Sequence, residues 1–105
     1  MRPDPPCIIR LSGDYDVYTT PELESDLKSS DTVRNVVLDF ARVHYIDSTA
    51  IAALLRMRTR RRAIGMPAVH FASLSPELRR ILTISGLEDA WAWHEDVEHA
   101  LLSFP

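Results

Sequence analysis

Val36-Val37-Leu38-Asp39-Phe40-Ala41-Arg42-Val43-His44-Tyr45-Ile46-Asp47-Ser48-Thr49 is the stretch from which the rest of the chain can be read. Two short apolar runs end in an Asp-Ser-Thr step, and a helical pattern starts immediately after it. Asn35 to Phe40 reads as an apolar run of strand length, expected for a strand covered on both faces. A turn at Arg42 and a short extended piece over His44-Tyr45-Ile46 should follow. From Ser48 to about Ile64, the residues Ile51, Leu54, Leu55 and Met57 recur at helical spacing, and Ala50, Ala52 and Ala53 support helix propensity. That spacing turns Ile51, Leu54 and Leu55 inward. It also sets the Ser48 hydroxyl beside the Asp47 carboxylate at the mouth of a helix, where unpaired N–H groups and a partial positive charge favour a phosphate. The plain alternative is that Asp47 or Ser48 is only a helix cap, a position both residue types favour.

Upstream, Pro3, Pro5 and Pro6 make residues 1–6 an extended lead-in. Cys7-Ile8-Ile9-Arg10-Leu11 reads as a strand stopped by Ser12-Gly13-Asp14, and Asp14 to Thr20 as a loop, with or without a short strand. A helix follows, capped by Thr19 or Thr20, with Pro21 in its first turn, Glu22 placed for a capping box, and Leu23 and Leu27 as its apolar stripe. Downstream, Gly65-Met66-Pro67 ends the helix that began at Ser48, and Ala68-Val69-His70-Phe71-Ala72 is the next strand. Ser75-Pro76-Glu77 opens a helix with Leu78, Ile81 and Leu82 as its stripe, and Gly86 closes it. Ala90-Trp91-Ala92-Trp93 is a further strand-like piece, its two tryptophans on one face as core. Asp96 to Ser103 is a last short helix with Val97, Ala100 and Leu101 inward. Strands alternating with helices of this length predict an α/β domain: a mixed, mostly parallel sheet of four to five strands packed against about four helices.

A chain of 105 residues fits one domain, 1–105, with a single core. The net charge of −3 supplies no global attraction to nucleic acid or an acidic membrane. Cys7 stands alone, so neither an internal disulfide nor a cysteine-based metal site is expected. No apolar stretch approaches the roughly 20 residues of a membrane span, and the proline-rich start lacks a signal-peptide core, so the expectation is cytoplasmic. His44, His70, His94 and His99 show no helical zinc spacing; His70 reads as a hydrogen-bonded, half-buried residue, and His94-Glu95-Asp96 as a polar turn. With no Gly-rich phosphate loop and no nucleophile elbow, neither catalytic residues nor a cofactor are expected. The arginine cluster Arg56, Arg58, Arg60, Arg61 and Arg62 reads as a solvated helix face, with an anionic contact as the alternative.

The same residues, in the same order, resemble a known family. Leu11-Ser12-Gly13-Asp14-Tyr15-Asp16, Thr19-Thr20-Pro21-Glu22-Leu23, Val36 to Phe40, Tyr45-Ile46-Asp47-Ser48-Thr49, and Ile84-Ser85-Gly86-Leu87 followed by Trp91 are similar to the successive motifs of the STAS domain. That family comprises bacterial anti-sigma factor antagonists and the cytoplasmic domains of sulfate transporters. The resemblance implies a STAS-like fold and phosphorylation at Ser48, with Asp47, Asp16 and Thr49 supporting the site. It also implies an anti-sigma factor partner that is a histidine-kinase-like serine kinase, together with a phosphatase, in a partner-switching system that controls a sigma factor. A non-switching scaffold or transporter-accessory subunit is the alternative, and a small enzyme built on Asp16, Asp47 and Ser48 a third reading. Ala50 stands where the family usually carries Gly, adding a methyl group beside the site. The edge strand that often precedes the first motif is expected to be absent or shortened here.

Overall fold

Four strands, all paired in parallel, form one sheet in the order of their sequence. The structure is a computed structural model and describes residues 5–86 and 88–104. Most of the expected lead-in, residues 1–4, and Leu87 of the last quoted motif lie outside the described residues. The elements are β1 (Cys7–Tyr15), α1 (Thr20–Ser29), β2 (Val36–Ile46), α2 (Ser48–Ala63), β3 (His70–Ala72), α3 (Pro76–Ile84), a 3-10 turn over Glu88–Ala90, β4 (Ala92–His94) and α4 (Val97–Leu102). The sheet is thus parallel throughout the described residues.

A parallel sheet whose strands follow one another without reversal uses the same right-handed crossover each time, so its connecting helices fall on one face. Leu23 and Leu27 of α1, Ala50, Ala53, Leu54 and Met57 of α2, and Leu78 and Leu82 of α3 share one core with Leu38, Phe40 and Phe71 of the sheet. Among the described residues the other face is covered by α4 and Phe104, where Ala100 meets Val37 and Ala72. This explains the apolar run of β2. Val36, Leu38 and Phe40 enter the large core while Val37 enters the small one. Phe71 anchors the large core, stacked on Trp91 with centroids 4.4 Å apart, tilted against Phe40 and edge-on to Trp93.

Several helix ends follow the sequence. Asp47 caps α2 by accepting from the N–H groups of Thr49 and Ala50; Ser75 caps α3 and Asp96 caps α4 in the same manner. Gly65 and Gly86 follow α2 and α3 with φ of +74° and +78°, a backbone region that strains other residues.

Five expectations need correction. First, β1 does not stop at Ser12 but runs to Tyr15. Second, β2 does not turn at Arg42 but continues to Ile46. The two strands stay paired because the register shifts twice, between Arg10 and Ser12 and between Gly13 and Asp14, each shift placing an extra residue on β2. Third, α1 begins without a side-chain cap, because the Thr19 hydroxyl donates to the Asp14 carbonyl instead. Fourth, Trp91 precedes β4 rather than lying in it, although Trp91 and Trp93 still pack on the same ring. Fifth, Leu101 is exposed, since a six-residue helix buries only Ala100 fully.

Candidate functional site

All four strands point their carboxyl ends toward the same edge, and the β1–α1 loop meets the β2–α2 junction there. The junction is tight. The Asp47 N–H donates to the Tyr15 carbonyl at 3.0 Å, holding the last residue before α2 against the end of β1. The Asp47 side chain then turns back over the helix, accepting from the N–H of Thr49 at 2.9 Å, the N–H of Ala50 at 3.1 Å, and the Thr49 hydroxyl. These three donors, the Thr49 hydroxyl first, hold the Asp47 carboxyl below the usual carboxylate range, so it is an anion at neutral pH.

Thr49 is committed in a second direction as well. Its hydroxyl lies 3.1 Å from that of Thr20, which in turn lies 2.7 Å from the Asp16 carbonyl. Two hydroxyls supply two hydrogens for these three contacts, so Thr20 and Thr49 bond to each other only when one of them gives up its Asp16 or Asp47 acceptor. The Asp16 carboxylate folds its own loop, accepting from the N–H groups of Tyr18 and Thr19 at 2.9 and 3.1 Å. Asp16 therefore joins the site through its backbone carbonyl and the shape of its loop.

Ser48 differs from all of these. It is the first residue of α2, exposed, and its hydroxyl makes no hydrogen bond among the described residues. Ala50, the family departure, is fully buried in the large core, so its methyl group points away from the exposed face that carries Ser48. Around this end of the sheet, Val17, Tyr18 and Tyr45 are exposed at 59%, 88% and 51%. Such apolar surface beside a free hydroxyl suits contact with a protein.

The arginine cluster is not the uniform solvated face that its composition suggests. Arg56 pairs with Glu24 and Arg60 with Asp31, tying α2 to α1 and to the turn after it. Arg61 is 1% exposed, and its two terminal nitrogens donate to the carbonyls of Ser30, Val33, Arg34 and Pro67 at 2.7–3.2 Å. It stitches the α1–β2 connection to the segment before β3. Its spacing from Met57 was the available signal, because position 61 continues the stripe 50, 53, 54, 57. His70 and His94, from adjacent strands, lie 2.7 Å apart between ring nitrogens under Phe104. Among the described residues no group of three or more His, Cys, Asp or Glu is placed to hold a metal ion, and no helix is long and apolar enough to cross a membrane.

The model of the STAS domain matches residues 2–100. An anti-sigma-B factor antagonist of Staphylococcus aureus is 28% identical over 94 residues, spanning 86% of this chain and 84% of the relative. Among solved structures, a sulfate transporter family protein from Wolinella succinogenes superposes with a TM-score of 0.80 at 21% identity, over 97% of this chain and 86% of that one. The Bacillus cell fate determinant SpoIIAA in its phosphorylated form gives 0.67 at 20% identity, over 90% and 86%. These two likenesses concern the fold. The family assignment rests on the match across nearly the whole chain: this protein belongs to the STAS domain family.

Proposed function

We propose that this protein is an anti-sigma factor antagonist whose binding is switched at Ser48. Unmodified, it captures an anti-sigma factor that is itself a serine kinase, and the sigma factor is released. Phosphorylated on Ser48, it lets the anti-sigma factor go, and a phosphatase restores the hydroxyl. The observation that carries this reading is the contrast at the mouth of α2: Thr49 is hydrogen-bonded and half-buried, while Ser48 is free and exposed. The name of the Staphylococcus aureus relative supports the partner class, and the phosphorylated form of SpoIIAA supports the modification.

The chemistry is a phosphoryl transfer in which the Ser48 oxygen bonds the γ-phosphorus of ATP, ADP departs, and the hydroxyl proton passes to a base of the kinase. The phosphate adds about −1.5 to −2 charges at neutral pH. Asp47 already occupies the N–H groups of Thr49 and Ala50, so the new charge sits beside an existing carboxylate rather than in an empty cap. A partner packed over Ser48, Tyr18 and Tyr45 then faces concentrated negative charge in a desolvated interface, which is costly. The fold also serves a sulfate transporter family protein, so the fold alone does not select between a switch and a permanent scaffold. The test is binding to a histidine-kinase-like ATPase encoded in the same genome. The unmodified chain should form a complex, and the Ser48 phosphoprotein should not. Equal binding by both forms would replace the switch with the scaffold reading.

A further inference from the structure

At the far end of α2, about 20 Å from Ser48 by helix rise, a cavity of about 250 Å³ opens between Arg58, Arg61 and Arg62, the 66–69 segment and residues 89–91. We propose that this cavity binds a small phosphoryl anion, inorganic phosphate or a compact phosphomonoester, independently of the switch at Ser48.

Charge is the first argument. Arg58 and Arg62 make no ion pair among the described residues, unlike their neighbours Arg56 and Arg60. The buried Arg61 guanidinium is held by carbonyl oxygens alone, so its positive charge is solvated by dipoles and neutralised by no hydrogen-bonded acid. Against these three cations the lining offers one carboxylate, Asp89. The remaining excess of two positive charges matches a phosphoryl dianion, and guanidinium forks suit phosphate oxygens.

Unused donors are the second argument. Arg61 Nε and Trp91 Nε1 are both buried without a hydrogen-bond partner, and both residues line this cavity. Buried donors of this kind are rare; water cannot touch either atom in the cavity, so an acceptor meets them only if the Arg61 or Trp91 side chain shifts as the anion enters. The C-terminal dipole of α2 opposes an anion here. Its last carbonyls are largely occupied, however: Arg61 O accepts from Ile64 and Met66, and Arg62 O from Gly65. What remains of the dipole is weaker than one charge-assisted hydrogen bond. Size sets the class. Sites for larger organic ligands usually start near 300 Å³, so a phosphate with a short substituent is the size that fills this cavity.

The experiment is an amide NMR titration of the whole chain with inorganic phosphate at constant ionic strength and pH 7, with tryptophan fluorescence in parallel on Trp93→Phe so that Trp91 reports alone. Saturable shifts at residues 66–69 and 89–91, with a Kd of about 1 mM or tighter, are expected. The Arg58→Gln/Arg62→Gln double variant, which removes two unpaired and solvent-accessible cations, should weaken binding at least about tenfold. Ser48→Ala should leave the Kd unchanged, so this result and the switch stand or fall separately. Absence of saturation, shifts confined to residues 47–50, or an unaltered Kd in the double variant would overturn the site. Equal binding of chloride or succinate at the same concentration would overturn the phosphoryl assignment.

Discussion

Ser48 and Thr49 carry the same hydroxyl one residue apart, and their surroundings assign them different work. The Thr49 hydroxyl is spent on Asp47 and faces Thr20, so a kinase would have to break the link between the β1–α1 loop and α2 to reach it. Ser48 needs no such opening. Incubation with the cognate kinase and ATP should therefore place phosphate on Ser48 in wild type and in Thr49→Ala, and none on Ser48→Ala, as read by mass spectrometry. Phosphate on Thr49 alone would reverse the assignment. Thr49→Ala should also lower stability by about 0.5–1.5 kcal/mol, the usual worth of a hydrogen bond of this kind, measured by denaturant unfolding. Ser48→Asp mimics the switch only in part, since one carboxylate carries about half the charge of a phosphate and lacks its third acceptor oxygen. It should weaken partner binding less than phosphorylation does, in a direct titration of the two forms.

Helix α2 serves the site at one end and the fold along its length, and Arg61 is where the two roles are furthest apart. Replacing Arg61 with Ala would leave four backbone carbonyls short of a donor. A loss of about 3–5 kcal/mol is expected, with a fall in Tm of about 15 °C or more for a domain of this size. Arg58→Gln is the control and should change Tm by little. The β3–β4 pair, which carries His70 and His94, is where a dependence on pH is expected. Burial, and then each one's histidine neighbour, holds His70 and His94 below the ordinary histidine value. Unfolding therefore takes up protons between those lowered values and about pH 6.5, so the stability is complete above that pH and is lost as pH falls. Asp96 raises the pKa of His99 and acts in the opposite sense, but that pair is exposed and screened. Tm should drop between about pH 7.5 and pH 5.5, and His70→Gln should shrink the drop. The cap Ser75, the choice of Asp47 or Ser48 as the cap of α2, and the helix-ending glycines 65 and 86 were legible in the sequence because they act within a few residues of themselves. The bulges of β2, the burial of Arg61 and the His70–His94 contact were not, since each depends on a partner 24 or more residues away. The exposure of Ser48 was readable from its place at a helix start, whereas the occupation of Thr49 by Thr20 needed the fold.

At the scale of the whole molecule, the question is whether a charge at Ser48 can act on a partner without acting on the protein itself. The core-facing side chains of α1, α2 and α3 lie against one face of the sheet, and Ser48 lies outside both cores. A phosphate there desolvates nothing within the domain, and it meets the positive end of α2, worth about 0.3–1 kcal/mol where exposed, against the neighbouring Asp47 anion. These effects are small and of opposite sign. Turning a partner from almost fully bound to almost fully free, by contrast, takes a differential of about 5.5 kcal/mol, a factor of about ten thousand. Only the partner's side of an interface can supply that, by desolvating the phosphate without pairing it. Amide spectra of the two forms should therefore differ only near residues 15–20 and 45–51, and Tm should move by less than about 4 °C, the shift of a 1 kcal/mol change. Affinity for the anti-sigma partner should fall by orders of magnitude in the same samples. Widespread spectral change with a lowered Tm would mean that phosphorylation acts by unfolding the binding surface, and exclusion of the partner by charge would then be the wrong mechanism.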